Sequence, residues 1–146
     1  MTAGRDDDHS VTGAEAPPFD DALRAVAEAL DAMGHGDPIP FAALWTTTDD
    51  GTLMGGFGTR ATTAAEVRAT LETVARRFRG GPLVPEYDRV LVGDDWALTA
   101  GCERGILSVD GAEPALFVVR VTHVWRHEES GWRIVHRHGD HTLTPS

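Results

Sequence analysis

From Asp20 onward the apolar residues fall at Leu23, Val26, Ala27, Leu30 and Met33, spacings of three and four that draw one stripe along a helix. Gly34 and Gly36 close it. Asp37-Pro38 has the form of an N-cap followed by proline at the first helical position. It predicts a short second helix with Phe41, Leu44 and Trp45 on one side, ending near Thr46. Asp50-Gly51 marks a turn before Thr52–Gly58, expected to be a short strand or a loop with close backbone contacts. Thr63-x-x-Glu66 is a capping box, after which Val67, Leu71, Val74 and Phe78 keep helical spacing until Gly80-Gly81-Pro82 stops the helix. Beyond residue 83 the period becomes two, with turn signals at Gly93-Asp94-Asp95, Asp110-Gly111 and Glu129-Ser130-Gly131. Strands are expected over 85–93, 95–109, 115–128 and 131–142. This order predicts an α+β fold with three N-terminal helices packed on a curved antiparallel sheet.

Alternation then assigns the faces of the strands. In the second long strand the even positions Trp96, Leu98, Ala100, Cys102 and Ile106 are the more apolar, so they are expected to face inward, with Arg104 as the one polar intruder. In the third, Phe117, Val119, Val121 and Trp125 point inward together with His123. In the last, Trp132 and Ile134 set an inward parity that continues into His136, His138 and Asp140. A β-bulge in any of these strands would flip every residue beyond it. Polar groups on an apolar face need partners or a wet cavity, so Arg104, His123 and the His136–Asp140 run suggest either a shared polar site or a satisfied buried network.

Composition narrows what such a site could serve. A chain of 146 residues buries one core without needing disulfides or structural metal, and a second full domain would not fit. Residues 1–18 are polar, without periodicity, and end in Pro17-Pro18; they are expected to form a tail before a domain over 19–142, with a short C-terminal tail at 143–146. Thirteen basic against 23 acidic residues give a net charge of −10, and every basic residue is arginine. A surface so acidic argues against nucleic-acid and anionic-membrane partners. The single Cys102 has no intramolecular mate and there is no leader pattern at MTAGRDDDHS, so a cytoplasmic location is expected. All-arginine basic usage with abundant Ala, Gly, Asp and Val suggests a high-GC bacterial genome, which says nothing about mechanism.

Motif chemistry is sparse. Gly55-Gly56-Phe57-Gly58 lacks the lysine and helix of a phosphate loop, no serine sits in a nucleophile elbow, and no cofactor is expected. His136-x-His138 with Asp140 or His123 supplies part of a metal shell but no clear third and fourth ligand, so no metal is assigned. Cys102 is expected to be a packed thiol in preference to a thiolate nucleophile. Trp45 either walls a pocket or fills the core. Five of the seven histidines lie between 123 and 141, which places proton chemistry near neutral pH at this end of the sheet. Outward Leu116, Val118, Val124 and Val135 interleave with arginines, making the other sheet face a dimerisation candidate.

The stretch Leu44-Trp45 to Phe57-Gly58, the capped third helix, Arg120-Val-Thr-His-Val-Trp-Arg126 and above all Gly131-Trp-Arg-Ile-Val-His-Arg-His138 followed by Gly139-Asp140 resemble the SnoaL-like branch of the nuclear transport factor 2 superfamily. The resemblance covers residues 19–142. It implies a cone-shaped α+β barrel enclosing a mostly apolar pocket, usually in a homodimer formed through the convex sheet face. Members include polyketide cyclases, ketosteroid isomerases, epoxide hydrolases and dehydratases. The related association domain of calcium/calmodulin-dependent kinase carries pocket arginines where this sequence has His123 and Arg104. The tyrosine donor of the isomerases has no counterpart, since Tyr87 is the only tyrosine and lies elsewhere. The resemblance therefore implies a cofactor-independent acid–base enzyme acting on a small apolar carbonyl or polyketide-like substrate. In it His123, or His138 with Asp140, moves a proton and Arg104 stabilises an oxyanion or anchors a carboxylate, with Trp45, Phe57, Cys102, Trp125 and His136 as substrate contacts. The alternative from the same fold is a non-catalytic ligand-binding or oligomerisation module.

Overall fold

Proline at residue 18 leads into α1 (Phe19–Gly34), the first element of a computed structural model that describes residues 18–141. The expected tails at 1–18 and 143–146 lie, Pro18 apart, outside the described residues. Helix α1 buries Phe19, Ala22, Val26, Ala29, Leu30 and Met33. The apolar stripe is thus the expected one rotated slightly, with Leu23 at its margin and Ala27 exposed. The His35 and Gly36 amides close its last turn on Ala32 and Met33, with Gly36 at φ +95°.

Helix α2 (Ile39–Ala42) begins where Asp37 Oδ1 accepts from the Ile39 amide at 3.0 Å. It ends sooner than periodicity suggests because another partner takes the backbone. Leu44 O accepts from the Ile134 amide at 2.8 Å, and the Thr46 amide donates to Ile134 O at 3.0 Å, which pins Trp45 beside the last strand. Helix α3 (Ala64–Ala75) starts at Thr63, whose hydroxyl accepts from the Glu66 amide at 3.2 Å while the Glu66 carboxylate accepts from the Thr62 amide at 2.9 Å. It stops before Phe78 because Phe78–Arg79 (β3) pairs with the sheet instead.

Strands β1 (Thr52–Met54), β2 (Arg60–Ala61), β4 (Val84–Val92), β5 (Trp96–Val109), β6 (Ala115–Glu128) and β7 (Gly131–His141) complete a seven-stranded sheet. Its order is β2-β1-β7-β6-β5-β3, with β4 also on β5. The four long strands match the sequence reading closely. The sheet is not wholly antiparallel, however: β1 runs parallel to β7, pairing Thr52 with His136 and Met54 with His138. The helices cover one face of this sheet, giving the expected α+β architecture with a curled half-barrel.

Two strand parities depart from the sequence reading. On β5 the odd residues face the helices: Ala97, Thr99, Glu103 and Leu107 are buried, while Trp96, Arg104 and Ile106 are exposed. The reason lies across the strand pair. Ala97 sits opposite Trp125, Gly101 opposite Val121 and Gly105 opposite Phe117, so small residues on β5 make room for large ones on β6 on the crowded concave side. A Cβ on Gly105 would lie 2.0 Å from the Pro82 carbonyl oxygen. On β6 the odd residues face inward as expected, with Val119, Val121, His123 and Trp125 all buried.

On β7 the inward parity of Trp132 and Ile134 holds only to a bulge. Trp125 pairs with Ile134 but Val124 pairs with His136, leaving Val135 as the extra residue. Beyond it the faces exchange, so Arg137, Gly139 and His141 share the side of His123, Val121 and Val119, while His136, His138 and Asp140 turn outward. Phe19 anchors the closed end of the core edge-on to Trp125 and Trp132, at 5.3 and 5.2 Å between ring centroids.

Substituting one residue on each face of β5 tests this parity. Leu107→Ala should cost about 2–5 kcal/mol in urea unfolding, and Arg104→Ala about 0.5 kcal/mol or less.

Candidate functional site

Between the helices and the concave side of the sheet lies an apolar cavity that is partly open to solvent. Leu30, Phe41, Leu53, Phe57, Leu71 and Phe117 are among its walls. The polar groups lining it come mainly from the strand positions that alternation misplaced: Glu103 on β5, Arg137 and His141 on β7, with Thr59 from the β1–β2 turn and Thr70 on α3.

Arg137 organises the deepest part. Its Nη1 donates to Glu103 Oε2 at 2.6 Å and its Nη2 to Glu103 Oε1 at 2.8 Å, a two-point pair with side chains 13% and 4% exposed. The same Nη1 donates to His123 Nε2 at 3.0 Å. A guanidinium can only donate, so His123 Nε2 accepts and its ring proton resides on Nδ1. Burial, and then the Arg137 charge, push the His123 pKa well below the usual histidine value, so this imidazole is neutral. Removing either member of the Glu103–Arg137 pair would leave a buried charge uncompensated, a loss of about 3–5 kcal/mol.

His141 is the second imidazole of the interior. Its ring lies 4.8 Å from that of Phe57 and 4.9 Å from that of Phe117. Burial lowers its pKa, the Arg77 charge lowers it further, and Asp140 opposes both. Arg77 stacks 3.7 Å above the Phe57 ring and is held there by Asp110, with bonds of 2.9 and 2.7 Å. The Thr59 hydroxyl is buried without a hydrogen-bond partner beside Gly55, where a Cβ would come within van der Waals overlap of it. The bare backbone at Gly55 is what admits that hydroxyl.

The expected site residues divide accordingly. His123 is inside and bonded to Arg137, and Phe57 lines the cavity. Arg104 is on the convex face, paired with Glu86 at 3.4 Å, because β5 turns its small residues inward. Cys102 shares that outer face for the same reason. His136, His138 and Asp140 are outside because of the Val135 bulge: His136 Nδ1 lies 2.6 Å from Thr52 Oγ1, and Asp140 takes two bonds from Arg120, which hold its carboxyl below the usual range. Trp45 and Trp125 are core residues away from the cavity lining, Trp125 donating to Thr99 Oγ1 at 3.3 Å. Among the described residues no group of three or more His, Cys, Asp or Glu could hold a metal.

Glu103, Arg137, His141 and Thr59 were missed by the sequence reading. The available signal was a glutamate alternating with Ala97, Thr99 and Gly101, since a lone charge on a face of small residues needs a buried partner.

The histidine burial has a measurable consequence. A histidine whose folded pKa lies below its unfolded value of about 6.5 binds protons better when unfolded. Stability is therefore complete above that value and falls as pH drops below it toward the folded pKa. Chemical denaturation at about pH 7 and about pH 5 should show this loss, and His123→Gln, which keeps an acceptor for Arg137 but cannot titrate, should show a smaller one.

Comparison with known proteins bears on the fold and the family. No functionally curated protein matches the sequence. Among solved structures, a nuclear transport factor 2-like superfamily protein from Salmonella enterica serovar Typhimurium superposes with a TM-score of 0.71 at 16% identity, over 87% of this chain and 92% of its own. A ketosteroid isomerase-like protein from Erwinia carotovora atroseptica gives 0.67 at 20% identity, over 84% and 94%. A dehydratase candidate of the nuclear transport factor 2-like family from Streptomyces avermitilis gives 0.65 at 19% identity, over 87% and 100%. At these identities the likeness establishes the fold. The family model for the SnoaL-like domain matches residues 23–141, which span every strand of the sheet and the cavity beneath it, and the chain belongs to that family.

Proposed function

We propose that the cavity carries out cofactor-independent acid–base chemistry, of isomerase, cyclase, dehydratase or hydrolase type, on a small apolar carbonyl or polyketide-like compound. The observation that carries this reading is the convergence of a neutral imidazole, His141, and a fixed guanidinium, Arg137, on one apolar cavity. A base that is uncharged at neutral pH can take a proton from the carbon beside a carbonyl. Arg137 has five N–H donors, and its bonds to Glu103 and His123 engage three. The other two can donate to the substrate's carbonyl oxygen and polarise it as the proton leaves. His141 then returns the proton to another carbon or to a departing oxygen. Glu103 and His123 act as positioning residues, holding the guanidinium in one orientation.

A second reading, a non-catalytic ligand-binding module, draws on the same network: Glu103, Arg137 and His123 satisfy one another without any substrate. An absorbance assay on paired β,γ- and α,β-unsaturated ketones separates the two. His141→Asn should lower turnover about 10²–10⁴-fold while His123→Gln lowers it less. The wild-type rate should fall on the acid side as His141 becomes protonated. An unchanged rate in His141→Asn would contradict the assignment.

We also propose a homodimer through the convex face, in a reducing cytoplasm where Cys102 stays a thiol. Trp96, Ile106 and Leu116 are 47%, 65% and 61% exposed there, more apolar surface than isolated side chains require. Leu116→Arg should shift sedimentation from dimer to monomer; a wild-type chain that is monomeric at tens of micromolar would refute this.

A further inference from the structure

We infer that Glu103 sets the charge of the ligand: by neutralising Arg137 it reserves the cavity for uncharged molecules and turns carboxylates away. The inference rests on the cavity being the ligand site proposed above. The titratable side chains lining it are Glu103, Arg137 and His141. Glu103 and Arg137 cancel through two bonds of 2.6 and 2.8 Å, and His141 is neutral. Nearby Arg77 has its own counterion in Asp110. The lining therefore carries no net charge.

The geometry makes this neutrality selective. An arginine in an apolar cavity would by itself be an anchor for an acid, since its fork matches a carboxylate at two points. Here a carboxylate of the chain already occupies those points, and its side chain is 4% exposed, so water offers little screening. An acidic ligand reaching the remaining donors of Arg137 would place its charge against Glu103. A cation reaching Glu103 would meet Arg137 in the same way. A carbonyl, amide or alcohol incurs neither repulsion and can still accept from the guanidinium. Glu103 thus excludes by repulsion what Arg137 alone would attract.

Benzoate, benzamide and benzamidine form a planar series of nearly equal shape with charges of −1, 0 and +1, and their ring suits walls that include Phe41, Phe57, Phe78 and Phe117. Calorimetric titration of each into the full chain, with the His141 imidazole signals followed by NMR to place the binding, tests the inference. The wild type should bind benzamide at least about tenfold more tightly than either ion. Glu103→Gln should gain about tenfold or more for benzoate, Arg137→Gln should gain similarly for benzamidine, and the double variant should again prefer benzamide. The double variant buries no unpaired charge, and the wild-type comparison needs no substitution, so the test survives if a single variant fails to fold. Benzoate bound by the wild type as tightly as benzamide, or a folded Glu103→Gln chain with no gain for benzoate, would overturn the inference. Charge selection without ketone turnover would leave it standing and remove only the catalytic reading.

Discussion

Two opposite charges lie under an apolar cavity because each is the other's solvent. Arg137 and Glu103 reach one another diagonally across β6, with His123 bonded to the same guanidinium. Neither side chain could occupy that interior alone, since burying an isolated ion costs several kcal/mol even after the surroundings relax. The pair requires three adjacent strands in one register, and it requires β7 to present an odd residue inward at 137. The Val135 bulge meets the second condition, so a local irregularity of one residue decides which chemistry faces the cavity.

The elements were legible because their signals are local. Capping at Thr63, the glycines after α1 and the change of period after residue 83 each act within a few residues, and the helices and long strands follow them. Where the reading failed, a distant partner had taken over the backbone. Trp45 leaves the helical path to bond beside Ile134, and Phe78 leaves α3 to pair with Val109. The parallel contact of β1 with β7 joins segments some eighty residues apart, which no short window reveals.

The candidate site was legible only in part, for two separate physical reasons. On β5 the outer face is more apolar than the inner one, because the inner face is built of small residues that complement Trp125, Val121 and Phe117. Hydrophobicity marks surface that avoids water, and it cannot say whether helices or another chain will cover it. On β7 the alternation was read correctly as far as Ile134 and was then reversed by the bulge, which moved Arg137 and His141 inward and His136, His138 and Asp140 outward. The inward placement of His123 was legible because β6 keeps a regular alternation through 117–125.

The protonation state of His123 reports most directly on whether this buried network exists as described. Long-range proton–nitrogen NMR spectra of the imidazole rings, recorded from neutral pH downward, resolve both charge and tautomer. A His123 ring that stays neutral well below pH 6.5, with its proton on Nδ1, is the expected result, because Arg137 donates to Nε2 within a dry interior. A His123 that protonates near the ordinary midpoint of about 6.5, or carries its proton on Nε2, would mean that Arg137 does not face inward, and the cavity chemistry built on it would fall.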